Sequence, residues 1–486
     1  MQFDSPPLSA RKLGEDVAAP RMLYSVYFTA ILTVTALGAW IVGNELAMVA
    51  AAVVASVIAL YMLWDWLVRE GPTRLSTLLA IALLLGYGLG AVNTWLTLPR
   101  GSLTLSEFIG ADEGVLARGM AGVLLSAAPL CFLGELYERP LFGREYRIPL
   151  NQQTYSLIFL GTVAIIIGFF THSLGFAGTA NTYGQELGVA AALLSWFFPP
   201  FTALTVAVFL ATQGRFAKVF TGICTLILCI CLMAVGRRNM VYTAMTILFA
   251  LRLTGYRLKG TFFKKVLLFG TLGLFLAVGV TVFMLLRLAG YQNPKNPPSL
   301  VQRIQIAFTW VSDGSALDRA TQANQANVQR RTFVLGFFAD VLEGSTTRTP
   351  ALGQDVEGYI SMAIPRVLNP NKDLTFGEES LADGLFGLSY VDAANSILTN
   401  GATDFGILGI LLYPLILVFI MRAAIETFAV FLPSLPLSIV VLATVFTLLQ
   451  TENATDGYLI ALRNELIFAV ILIVFSYLPQ FRLRAT

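Results

Sequence analysis

A chain of 486 residues that is 56% hydrophobic and only 13% charged is not an ordinary soluble domain. Its formal net charge of +3 excludes little, because in a membrane protein the distribution of lysine and arginine matters more than their sum. The four cysteines (Cys131, Cys224, Cys229 and Cys231) lie in apolar runs with no histidine at metal-ligand spacing, and they read as small buried hydrophobes.

Runs of about 20 apolar residues match the hydrocarbon thickness that a helix must cross. They place about twelve spans near 22–42, 46–67, 75–97, 118–136, 155–175, 187–211, 217–235, 239–254, 265–287, 405–421, 434–450 and 464–479. The expected fold class is therefore all-α, a polytopic integral membrane protein with one large extracytoplasmic loop. Three parts are expected: residues 1–287 with nine spans, the loop 288–404 with interfacial helices, and 405–486 with three spans. The polar start and the length of the first apolar run predict a retained anchor, with no cleaved leader. Trp40, Trp64, Trp66 and Trp95 fall near span ends, where amphipathic rings prefer the headgroup level.

Orientation follows from the basic residues. Arg11, Lys12 and Arg21, then Arg69 and Arg74, Arg139, Arg144 and Arg147, and the cluster RLTGYRLKGTFFKK all fall on one side. Short loops rich in lysine and arginine stay cytoplasmic, so both termini are expected inside. The opposite connection THSLGFAGTANTYGQ carries no such residue. GYGLG at 86–90 lies mid-span and is read as small-residue helix packing.

Two features oppose the charge bias. Arg237 and Arg238 sit in GRRN, a very tight hairpin on the outer side. The long loop holds more arginines and lysines, but long loops translocate regardless of charge. Within that loop, LVQRIQIAFTWV sets Leu300, Ile304, Phe308 and Val311 on one helical face. Such a helix either lies in the interface plane or packs on the membrane helices. In IPRVLNPNKD two prolines restrict the backbone and fix where Arg366 and Lys372 point.

The outer face is therefore rich in arginine, whose rigid charged fork suits phosphate and diphosphate. Arg287 at the end of span nine and Arg463 at the start of span twelve complete a ring with the GRRN pair; snorkelling towards phospholipid headgroups is the alternative use of each. Asp392, in YVDAANSILTNG with Asn395 close by, is the candidate proton acceptor. The other carboxylates on this side, among them Asp355, Asp404, Glu452 and Glu465, are expected to be solvated. His172, the only histidine, ends span five and reads as a packing residue before it reads as a base or substrate contact.

GRRNMVYTAM after a hydrophobic span, a long outer loop with IPRVLNPNKD, and NSILTNGATDFGILGILLYPLILVFI together resemble the bacterial Wzy-type oligosaccharide repeat-unit polymerases, relatives of the O-antigen ligases. The resemblance covers roughly residues 230–425. It implies a glycosyltransferase, with a GT-C-like fold, acting on undecaprenyl-diphosphate-linked glycans at the outer face of the bacterial inner membrane. It further implies no metal, cofactor or nucleotide sugar and no nucleic acid, with membrane lipid, a chain-length regulator and a flippase as partners. Arg237 or Arg238, Arg366 and Lys372 are the positions carried over. The ligase branch uses a histidine in its large outer loop; residues 288–404 contain none, which favours the polymerase branch unless His172 takes that part, with a ligase-like glycan transferase as the alternative. The competing reading from another class is a transporter or flippase, for which about twelve spans serve equally well. A third is a non-catalytic subunit of an envelope complex.

Overall fold

The computed structural model describes residues 8–68, 73–96, 98, 104–141, 146–171, 173–174, 189–256, 262–291, 298, 300–316, 318–319, 334–365, 368–369, 378–388 and 395–477. Every element among them is helical, with no strand. The helices are α1 (Leu8–Val42), α2 (Glu45–Val68), α3 (Leu75–Leu96), α4 (Leu105–Ile109), α5 (Glu113–Tyr137), α6 (Gln152–Phe170), α7 (Val189–Ala211), α8 (Arg215–Val235) and α9 (Arg237–Leu253). They continue with α10 (Phe262–Tyr291), α11 (Leu300–Ser312), α12 (Val334–Thr347), α13 (Gln354–Ala363), α14 (Glu378–Phe386), α15 (Ile397–Phe431), α16 (Ser434–Leu448) and α17 (Thr455–Tyr477).

Eight of these helices hold stretches long and apolar enough to cross a membrane: α1, α2, α3, α5, α6, α7, α8 and α15. The other four expected spans fall on α9, α10 and α16, whose described apolar stretches are shorter, and on α17, which carries Asp456, Arg463 and Glu465. The chain is thus an all-helical, membrane-embedded protein.

Helix ends are closed by polar side chains, as orphan backbone groups require. Asp112 caps α5 through Gly114 N and Val115 N, and Asn151 caps α6 through Thr154 N. The start of α3 has no cap of its own; Glu138, at the far end of α5, accepts from Leu75 N at 2.6 Å and Ser76 N at 2.9 Å. Inside α3, Leu84–Leu89 forms a π turn, a widening that often marks functional positions. Gly88 does pack on a helix, facing Ala52 and Ala55 of α2, whereas Gly86 faces Thr451 in the turn between α16 and α17.

The segment 288–404 does not simply cover the membrane face, as the sequence suggested. Helix α12 is inserted between membrane helices, with Val334, Leu335, Phe337, Phe338, Val341 and Leu342 all buried. Small residues admit it. Gly119 of α5 lies against Ala339, and Gly122 lies against Leu342, Phe338 and Ile410 of α15. The ion pair Arg118–Glu343, at 2.8 Å, ties the same two helices. Gly119→Leu is expected to expel α12, because even a Cβ there would stand 2.5 Å from that of Ala339. Limited proteolysis should then cut within 334–347 at protease levels that leave the parent chain intact.

Helix α11 is turned as a helix lying in the interface plane would be, with its apolar face outward. Its buried side is Arg303 and Trp310, whereas Ile304, Phe308 and Val311 form an exposed apolar stripe. The Arg303 guanidinium lies over Gly290 at the carboxyl end of α10, where a cation meets the negative end of the helix dipole.

Candidate functional site: a buried polar cluster at a helical hairpin

Span ten was expected to begin at 405, and a break at Phe405 (φ −139°, ψ 16°) and Gly406 (φ 58°, ψ −135°) falls at that point; a short helix from Ile397 precedes it. In an unbroken helix Gly401 and Gly409 would stand ~12 Å apart at 1.5 Å per residue. Here their backbones touch: a Cβ on Gly409 would lie 1.8 Å from Gly401 O. Residues 397–404 are therefore a short helical leg folded back against the membrane span that follows. Three glycines make this possible. Gly406 supplies a positive φ that other residues resist, while Gly401 and Gly409 supply the close approach.

This leg brings polar groups inside. Ser396 caps it by accepting from Leu398 N and Thr399 N. Ser396, Thr399, Asn400, Thr403 and Asp404 are all buried. Buried polar groups demand partners, and these find them on four other parts of the chain. Asp404 accepts from Gly353 N at 3.1 Å, Asp355 N at 3.0 Å and Val356 N at 3.1 Å. It thereby caps α13, whose own N-cap is a glycine without a side chain. The Tyr413 hydroxyl donates to the same carboxylate. Ala351 N and Leu352 N donate to Thr403 O and Asp404 O, both at 2.9 Å.

Asn400 joins three elements. Its Nδ2 donates to Asp355 Oδ2 at 3.2 Å and to Tyr359 Oη at 2.5 Å, and its Oδ1 accepts from Thr455 N at 2.8 Å and Thr455 Oγ1 at 2.9 Å. From α3, Tyr87 in the π turn shares a 2.5 Å hydrogen bond with Ser396 Oγ. Burial, reinforced by the negative charge of Asp404, pushes the Asp355 carboxyl up to about 8, against the opposing hydrogen bonds of Tyr359 and Asn400.

Two sequence-predicted residues border this cluster. Asn395 is buried, and its Oδ1 accepts from Ser396 N at 2.8 Å. Arg463 of α17 donates from Nη1 to Ala363 O at 3.0 Å and from Nε and Nη2 to Asn464 Oδ1 at 3.3 and 3.1 Å. It closes the carboxyl end of α13, so one helix is held at its two ends by side chains from elsewhere. Arg287 is half-buried in α10, in the stretch whose Met284 and Ala289 belong to a second apolar core. Arg237 and Arg238 form the first turn of α9, joined to α8 through Gly236 alone; their side chains lie outside what is described. His172, Arg366, Lys372 and Asp392 lie outside the described residues.

The expectation of solvated outer carboxylates is corrected: Asp355, Asp404 and Glu465 are all fully buried. Asp404 is enclosed because it caps a neighbouring helix, Asp355 because it opens that helix, and Glu465 because it faces Thr444 between α16 and α17. The missed residues are Tyr87, Asp355, Tyr359, Asn400, Asp404 and Tyr413. The spacing of Gly401, Gly406 and Gly409 behind a run of Ser, Thr, Asn and Asp signals only the leg that carries Asn400 and Asp404; their partners on other elements have no such signal. Chemically, the cluster can hold an acceptor-only carboxylate and a protonated carboxyl side by side.

Comparison with protein-family models, with curated proteins and with solved structures gives no match.

Proposed function

We propose that the chain polymerises undecaprenyl-diphosphate-linked oligosaccharide repeat units into a surface polysaccharide at the periplasmic face of a bacterial inner membrane. In this reading it crosses the membrane twelve times in a GT-C-like arrangement, with both termini cytoplasmic. The observation that carries it is the junction at Gly236. Two consecutive arginines occupy the first turn of α9, where the unpaired N–H groups and positive helix end already favour an anion. Two cations at that end oppose the dipole and each other, and a lipid-linked diphosphate offsets both. Its polyprenyl tail stays in lipid beside the apolar helices.

The acceptor sugar hydroxyl attacks the anomeric carbon, the carbon–oxygen bond to the diphosphate breaks, and the hydroxyl proton passes to a carboxylate, with Asp392 as candidate and His172 as alternative. Arginine neutralises the charge growing on the departing diphosphate, which is the largest contribution available to such a reaction. Arg366, Lys372 and Arg287 add further cations, while Asn395 and Arg463 border the polar cluster that seats the loop. A chain-length regulator and a flippase are the expected partners.

With purified lipid-linked repeat units as substrate, Arg237→Ala/Arg238→Ala is expected to lower polymer formation about 100-fold or more while expression and folding are retained. Full-length ladders from that variant would remove the basis of the reading.

One observation favours a transporter instead. Broken helices and buried carboxylates within membrane bundles are the usual furniture of ion-coupled carriers, and α15 has both. Uptake of labelled lipid-linked sugar into vesicles, with no polymer formed from the same substrate, would select that reading.

A further inference from the structure

Two carboxyl groups meet at the joint between α13 and the hairpin, and they are not treated alike. Asp404 receives four donors: three backbone N–H groups and the Tyr413 hydroxyl. Asp355 is equally buried, yet its Oδ1 has no hydrogen-bond partner, and the carboxyl accepts only from Asn400 and Tyr359. A buried oxygen with no donor beside a neighbouring carboxylate is where a proton is stable and a second negative charge is not.

We propose that Asp355 and Asp404 form a proton-binding site that fastens α13 to the hairpin: with the proton bound α13 is docked, and its loss releases α13. This goes beyond the glycan-transfer reading and does not depend on it.

Among the described residues the surroundings supply no cation to replace the proton. Helix α13 packs against α15 and α17. From α15 the groups at the site are Asp404, Asn400 and Tyr413; from α13 itself, Tyr359; from α17, Asp456, whose charge also opposes ionisation of Asp355. The cation of α17, Arg463, is engaged at the other end of α13, on Ala363 O. The raised value of about 8 for Asp355 points the same way.

The sign follows directly. Between the ordinary carboxylate range near 4 and about 8, the docked state carries a proton that the released state does not. Docking is therefore strongest at acid pH, weakens as pH rises towards 8, and is flat above that.

Hydrogen exchange of the purified full chain in detergent, corrected for intrinsic rates, tests this. Protection of the 354–363 amides is expected to fall by about tenfold or more between pH 6 and pH 9, levelling off near 8. The 113–137 peptide of α5 should keep its protection and serves as the internal reference. Asp355→Asn, which stays neutral, should hold α13 equally protected at both pH values. Should that variant not fold, the wild-type profile decides alone. Equal protection of α13 at both pH values, a loss shared by α5, or a pH-dependent loss persisting in Asp355→Asn would each overturn the proposal.

Discussion

Asp404→Ala is expected to cost the protein about 3 kcal/mol or more. The substitution removes a fully buried acceptor from three backbone N–H groups and the Tyr413 hydroxyl, of which the Asp355 N–H is itself buried and the others partly so. Each buried donor left without an acceptor costs about 1–3 kcal/mol, and loss of a helix cap about 1 kcal/mol; shared relaxation keeps the sum below simple addition. The measurable result is a lower apparent melting midpoint in detergent and a smaller yield of monodisperse protein. Asp404→Asn keeps one acceptor oxygen and should fall between the two. An alanine variant melting with the parent would show that the carboxylate is not what holds α13.

The second large effect is expected at Gly409→Ala. A methyl there meets the carbonyl of Gly401 at 1.8 Å, and the obstacle is backbone on both sides, so no rotamer can relieve it. Overpacking a core by one group usually costs about 1–3 kcal/mol, and a clash between backbones lies at or above the upper end. The hairpin must open, which separates Asn400 from Thr455 and Asp404 from α13. Gly38→Ala is the matching control, since nothing stands within 4 Å of that position near the carboxyl end of α1. It should leave the melting midpoint unchanged or raise it slightly. Equal midpoints for the two variants would dismiss the hairpin contact.

Much of the membrane domain was legible in the sequence, because one physical requirement dominates it. A crossing helix needs about 20 apolar residues, and the runs at 46–67 and 187–211 coincide with Glu45–Trp66 and Val189–Ala211. The GRRN hairpin was legible too, since a single glycine between two apolar runs leaves no room for a longer turn. The interior of 288–404 was not. Length and polarity make that stretch look like a loop outside the bilayer, while VLGFFADVL is short enough to pass for an interfacial piece; only Gly119 and Gly122 on a distant helix reveal that it has a slot to enter. The same holds for the site. Asp404 reads as the last polar residue before a span, and its role depends on α13, whose first N–H groups lie about fifty residues earlier. A cap supplied across that distance leaves no local pattern.

The way α13 is finished at both ends has a consequence for biogenesis. Its amino end waits for a residue at 404 and its carboxyl end for one at 463, so neither is available while the ribosome is still making the first four hundred positions. The segment carrying α13 must therefore emerge unsealed and close only after α17 has been made. Chains truncated before Thr455 should consequently retain the early bundle yet leave this region open to quality-control proteases.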